Sequence, residues 1–134
     1  MRRRRTLRMA VAVVVAITAE TILVDLFQPL MLRTESSLGA MLVGTVDGVL
    51  DVWALDTLMR RLRKPEPGII LLTVSGAISL AIAHLLWSLP ELLSDPILVL
   101  NAIGRHARDG AITGAAIGFA IGCVNRLMPR TSQA

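Results

Sequence analysis

Apolar residues in this chain come in four long blocks rather than at the alternating spacing of a soluble amphipathic helix. MAVAVVVAITAETILVDLFQ fills 9–28, LGAMLVGTVDGVLDVWALDTLM fills 38–59, GIILLTVSGAISLAIAHLLWSLP fills 68–90 and GAITGAAIGFAIGCVNRLM fills 110–128. A helix of about 20 apolar residues is what it takes to cross ~30 Å of hydrocarbon. Polar connectors separate the blocks: LRTESS, then RRLRKPEPG, then the longer SDPILVLNAIGRHARD. Pro65, Pro67 and Gly68 make the second a firm break. The pattern predicts an all-α fold: one transmembrane domain over residues 1–134, built as a four-helix bundle.

The third connector carries its own helical signal. Asp95 before Pro96 reads as an N-cap followed by proline in the first turn. Over 97–108, Asn101, Arg105 and Arg108 fall on one side and Val99, Leu100, Ile103 and Ala107 on the other. This predicts a short amphipathic helix in the outer interface before the last span, with an outward extension of span four as the alternative.

The fourth block places Gly110, Gly114, Gly118 and Gly122 at every fourth position. In a water-soluble helix each would cost roughly 1 kcal/mol relative to alanine. In lipid, small residues instead let a second backbone come close. Ala111 and Ala115 flank the ribbon and Asn125 falls on it. Span two has a similarly small patch at Ala40 and Gly44, so the expected partner of the ribbon is span two or a second copy of span four.

Composition agrees with a membrane chain. It is 54% hydrophobic and 18% charged, without a single tyrosine, where soluble domains average about 25% charged. The net charge of +4 does not point to nucleic acid, because the basic residues sit at block ends with no aromatic interleaving. Arg2, Arg3, Arg4, Arg5, Arg8, Arg60, Arg61, Arg63, Lys64, Arg126 and Arg130 fall on one side of the four spans; Arg33, Arg105 and Arg108 fall on the other. The positive-inside rule then puts both termini in the cytoplasm of a bacterial inner membrane, and an even number of spans agrees. A cleaved signal peptide ending near Ala19 is the alternative for the first block, but its apolar run continues to Phe27, longer than such a signal needs. The single Cys123, inside an apolar block, excludes an intrachain disulfide and reads as an inert thiol.

Ionisable groups inside a bilayer are costly, so each is a candidate for function. Span one holds Glu20 near its middle and Asp25 nearer its outer end, with Thr18, Thr21, Asp25 and Gln28 on one face. Span two lines Ala40, Gly44, Asp47, Asp51, Ala54 and Leu58 along one narrow face. Two carboxylates four residues apart repel, and at membrane depth they persist only with a proton, a cation or an arginine between them; they read as a proton or cation site, as polar glue hydrogen-bonded to neighbouring helices, or as the lining of a watery cavity. Asp56, one turn before Arg60, reads as half of an ordinary helix-surface pair. His84 shares a face with Thr73, Ala77 and Ser88 in span three and reads as a hydrogen-bonded neutral imidazole, with a proton relay to Asp25 as the sharper alternative. At the outer mouth, Arg105, His106, Arg108 and Asp109 suit lipid headgroups or an anion.

Arg105-x-x-x-Asp109 followed by Gly118-x-x-x-Gly122 is similar to part of the signature of a family of four-span preprotein and amino acid transporters. That signature also has an upstream aromatic, where this chain has Ser94, and a small-glycine pair, where it has Ala116-Ile117. The chain is not assigned to that family on this overlap.

HExxH, CxxC, GxSxG and P-loop patterns are absent, as is a nucleophile with an evident base, so an enzyme is not indicated. Neither a metal nor an organic cofactor is called for; protons or a monovalent cation are the expected ligands. Two function classes follow. One is an oligomeric transporter or channel component handling protons or small cations through Glu20, Asp25, Asp47, Asp51 and His84. The other is an accessory subunit of a larger membrane complex, packing through its glycine ribbon.

Overall fold

The computed structural model describes residues 2–27, 33–62, 68–87, 89 and 96–128. Among the described residues there are four helices: α1 (Arg2–Phe27), α2 (Arg33–Arg61), α3 (Ile69–Trp87) and α4 (Pro96–Leu127). Gly68, after the two prolines, accepts the first bond of α3 from Leu72 N–H at 3.1 Å. Pro96 opens α4, as its preset φ and missing N–H favour. Residues 97–108 do not form a separate interfacial helix; they are continuous with span four in one helix of 32 residues. Gly104 and Gly110 weaken this stretch but remove no backbone donor, so the hydrogen-bond ladder runs on through them. At 1.5 Å per residue α4 is about 48 Å long, well beyond the ~30 Å of a hydrocarbon core.

The helices form an up-down-up-down bundle in which α1 packs on α2, α3 on α4 and α1 on α4, while α1 and α3 stand diagonally opposite. α3 with α4 is the tightest pair, and the glycine ribbon is why. A Cβ at Gly118 would lie 2.6 Å from the Leu72 carbonyl carbon, and one at Gly110 would lie 2.8 Å from the His84 ring. Gly122 faces Ile69, and Gly114 faces the backbone of Gly76. The reversed order of partners shows that the two helices run antiparallel. The expected partner was span two or a second copy of span four; it is span three. Gly76 supplies the matching gap at mid-helix, and the ribbon is thereby covered within the chain.

The first hairpin repeats this arrangement. A Cβ at Gly44 would meet Ile17 Cα at 2.7 Å, and one at Gly48 would meet Val13 Cα at 2.7 Å. Backbone contact of this kind holds helices in lipid through dispersion, since no hydrophobic drive acts between them there.

The distribution of polarity is the reverse of a soluble bundle. Val14, Ile22, Leu42, Ile70, Ile82, Leu86 and Phe119 are exposed on the outside, and Trp87 is 81% exposed. Asp51 and Thr113 are fully buried, and Glu20, Asp47 and Asn125 are nearly so. α1, α3 and α4 each contain a stretch long and apolar enough to cross a membrane. α2 lies among them with its aspartates Asp47 and Asp51 turned inward. Threonines support the same reading. Thr18, Thr21, Thr45, Thr57 and Thr73 each donate to the carbonyl four residues back in their own helix, at 2.7–2.9 Å. Their hydroxyls therefore need no water, as membrane depth demands. The chain is a membrane protein.

Candidate functional site

Thr113 and Ser79 depart from that local habit, and both mark carboxylates. Thr113 on α4 donates across the bundle to Glu20 Oε1 on α1 at 2.7 Å. Ser79 on α3 donates to Asp51 Oδ1 on α2 through a short hydrogen bond. A third cross-bundle contact joins α2 to α3, where His84 Nε2 lies 2.8 Å from Asp47 Oδ2, the ring N–H donating to the carboxylate. A fourth joins α1 to α4, where Arg8 Nε donates to Asn125 Oδ1 at 2.8 Å. These four polar contacts all cross from one hairpin to the other. Glycine-lined backbone contact holds each hairpin internally; between the hairpins the polar side chains share the seam with an apolar cluster of Ala12, Ala16, Val52 and Leu55 from one and Leu72, Leu80, Ile117 and Ile121 from the other.

Glu20, Asp47 and His84 converge within the seam. Each offers one ligand atom, and these atoms lie within 4.8 Å of one another. Helical side chains lean toward their own N-termini, so Glu20 on α1 and Asp47 on the antiparallel α2 lean toward each other. Gly110 makes room for the His84 ring. Glu20 and Asp47 are buried and His84 half-buried, its side chain 13% exposed. The groups that sequence alone scattered over three spans thus meet at one place. The partner of His84 is Asp47. The Asp25 side chain lies outside the described residues, as do those of Gln28 and Ser88.

One turn from Asp47, Asp51 is fully buried, and its Oδ2 has no hydrogen-bond partner. That oxygen sits where a Cβ on Gly76 would lie 2.9 Å away. An unpaired buried carboxylate oxygen is expensive, and a packed glycine backbone is what lies beside it.

Beyond these, the seam ends in arginines at both mouths. At the N-terminal end of α1, Asp56 turns to Arg8 at 3.5 Å and Arg5 at 3.8 Å. Arg60, expected to pair with the Asp56 carboxylate, instead donates to the Asp56 backbone carbonyl at 3.2 Å and to the Thr57 hydroxyl at 3.3 Å. At the other end Arg108 pairs with its neighbour Asp109 at 2.8 Å, while Arg105 is exposed. Cys123 is half-buried and forms no disulfide within the chain.

Sequence reasoning missed Ser79, Thr113, Gly48 and Gly76. A signal for the last existed: Ser75, Gly76, Ala77 and Ser79 form a small-residue patch in the middle of an otherwise Leu/Ile-rich span. For the hydroxyls no sequence signal separates Ser79 and Thr113 from threonines bonded along their own helices. Comparison with known protein families, curated proteins and solved structures finds no match.

Proposed function

We propose that the chain is a component of a transporter or channel, acting as an oligomer in the bacterial inner membrane, that moves protons or small cations through its intramembrane carboxylates. The observation that carries this reading is the convergence of Glu20, Asp47 and His84 from three helices within 4.8 Å inside the bundle. Asp51, fully buried one turn farther along the same helix, supplies a next station. Polar groups then continue to the Arg8–Asn125–Asp56 cluster at one mouth and to Asp109 at the other. A structural role alone would be met more cheaply by apolar packing, because buried ionic groups contribute little net stability.

Both termini lie in the cytoplasm in this proposal, with the Arg5–Arg8 end inward, as the excess of basic residues there favours. The experiment is flux into proteoliposomes holding the purified chain, followed by a pH dye and by cation-sensitive dyes. Asp47→Asn and Asp51→Asn should abolish flux while the protein still folds and sizes as wild type. Undiminished flux in both variants would remove the carboxylates from the pathway and refute the proposal.

A further inference from the structure

We infer that Glu20, Asp47 and His84 form a binding site for a divalent first-row transition-metal ion of the Zn²⁺ or Fe²⁺ class. This names the cation class of the transport reading and rests on that reading only for the ion's movement, not for its binding. Three observations narrow the ligand. The first is donor type. Na⁺, K⁺, Mg²⁺ and Ca²⁺ are held by oxygen, whereas imidazole nitrogen suits Zn, Fe, Ni and Cu. His84 supplies that nitrogen: the ion takes the place of the Nε2 proton, which is released or moves to Nδ1 so that the ring stays neutral, and the ligand atom belongs to the cluster with the two carboxylates. Among the described residues no thiol joins the set, which argues against a soft ion such as Cu(I).

The second is charge. A dication between two carboxylates and a neutral imidazole is neutral overall, the condition under which ions tolerate burial. A monovalent cation would leave a net negative charge at the same place. The third is geometry. Ligand atoms about 2.0–2.2 Å from one metal lie roughly 3.0–3.6 Å from each other. His84 Nε2 and Asp47 Oδ2 are 2.8 Å apart, and the whole set falls within 4.8 Å. Binding would draw the Glu20 carboxylate inward from this arrangement. The supporting residues also fit: Thr113 fixes the Glu20 carboxylate through Oε1, as outer partners of metal ligands do, and Gly110 leaves the space that the imidazole occupies.

The test is Co²⁺ binding to the full chain in lipid nanodiscs, read by visible d–d absorption and competed with Zn²⁺. One ion per chain is expected, displaced by Zn²⁺ but not by a hundredfold excess of Mg²⁺ or Na⁺. Glu20→Gln and His84→Gln should each abolish the bands, and Thr113→Val should weaken binding about tenfold, the lower end of an outer-partner effect. Absence of the bands from folded wild-type protein, or displacement by Mg²⁺, overturns the inference, and that arm holds even if the ligand variants fail to fold. Unchanged bands in both folded ligand variants overturn it as well, since the ion then sits elsewhere. Zn²⁺ uptake by proteoliposomes separates this inference from the transport reading. Proton flux that needs Glu20, without metal binding, overturns the metal site alone; metal binding without flux of any ion upholds the site and overturns transport alone.

Discussion

Replacing Gly118 by alanine tests the α3–α4 interface with a single methyl group. The added Cβ would lie 2.6 Å from the Leu72 carbonyl carbon and 2.9 Å from Thr73 Cα, and closer still to the Leu72 carbonyl oxygen. Ordinary contact begins at 3.4 Å, and these neighbours are backbone, so no side chain can swing away. To clear the oxygen as well, α3 must retreat by about 1 Å, and a gap of that size forfeits up to half of each dispersion contact along the interface. Overpacking against backbone that cannot yield falls in the upper part of the usual range, about 2–3 kcal/mol, offset by roughly 1 kcal/mol of helix propensity gained by alanine. The net expectation is a loss of about 1–2 kcal/mol. Gly104→Ala is the control: nothing lies within 4 Å of its Cβ position, so only the propensity gain of up to ~1 kcal/mol applies. The two alanines, on the same helix, should move stability in opposite directions. Reversible unfolding in mixed micelles with rising SDS, followed by circular dichroism, measures both against wild type. Equal shifts for the two variants, or a Gly118→Ala protein as stable as wild type, would refute the backbone contact.

Other substitutions test the seam by the same unfolding assay. Asp47→Ala leaves the His84 N–H without its partner and should cost about 1–3 kcal/mol, while Asp47→Asn, which keeps an acceptor oxygen, should recover most of that loss. Gly76→Ala meets both the Gly114 carbonyl and Asp51 Oδ2, so it should destabilise more than Gly118→Ala and also lower flux. Arg8→Ala removes the bond to Asn125 and the ion pair with Asp56 together, for an expected loss of about 1–2 kcal/mol. Arg5→Ala, whose side chain is 69% exposed and 3.8 Å from Asp56, should leave stability unchanged, as exposed pairs do.

The elements were legible because their causes are local. Four apolar blocks broken by Pro65, Pro67 and polar connectors require four helices, and Pro96 announces the start of the last one. The inward face of α2 was legible as well, since Gly44, Asp47 and Asp51 fall together at helical spacing whatever packs against them. What periodicity does not contain is the neighbour. The ribbon from Gly110 to Gly122 says that something comes close, and only the three-dimensional order of the helices identifies it as α3. His84 was placed on a face but not opposite Asp47, because that pairing depends on the offset between α2 and α3, which the intervening connector does not encode. Asp56 misled for a related reason: Arg60 lies on its own helix at the right spacing, yet Arg5 and Arg8 on α1 are where its carboxylate turns.

The placement of glycine and of charge in this bundle is a single solution to one problem. In lipid, helices gain little by hiding apolar surface from one another, so contact must come from close backbone approach or from polar bonds. The chain uses the first within each hairpin, at Gly44 and Gly48 and along the α4 ribbon, and the second between hairpins, at Glu20–Thr113, Asp47–His84, Asp51–Ser79 and Arg8–Asn125. The two kinds of contact differ in what they tolerate. A glycine interface cannot admit even a methyl group without moving a backbone, so each hairpin behaves as a stiff unit. A polar seam can exchange a hydrogen bond for a bond to an ion or a water without moving a helix. Within that seam the ligand atoms of Glu20, Asp47 and His84 lie within 4.8 Å of one another. Stiff hairpins hold those groups in register at a cost in polar burial that an apolar core would avoid, and that cost is what the transport proposal rests on.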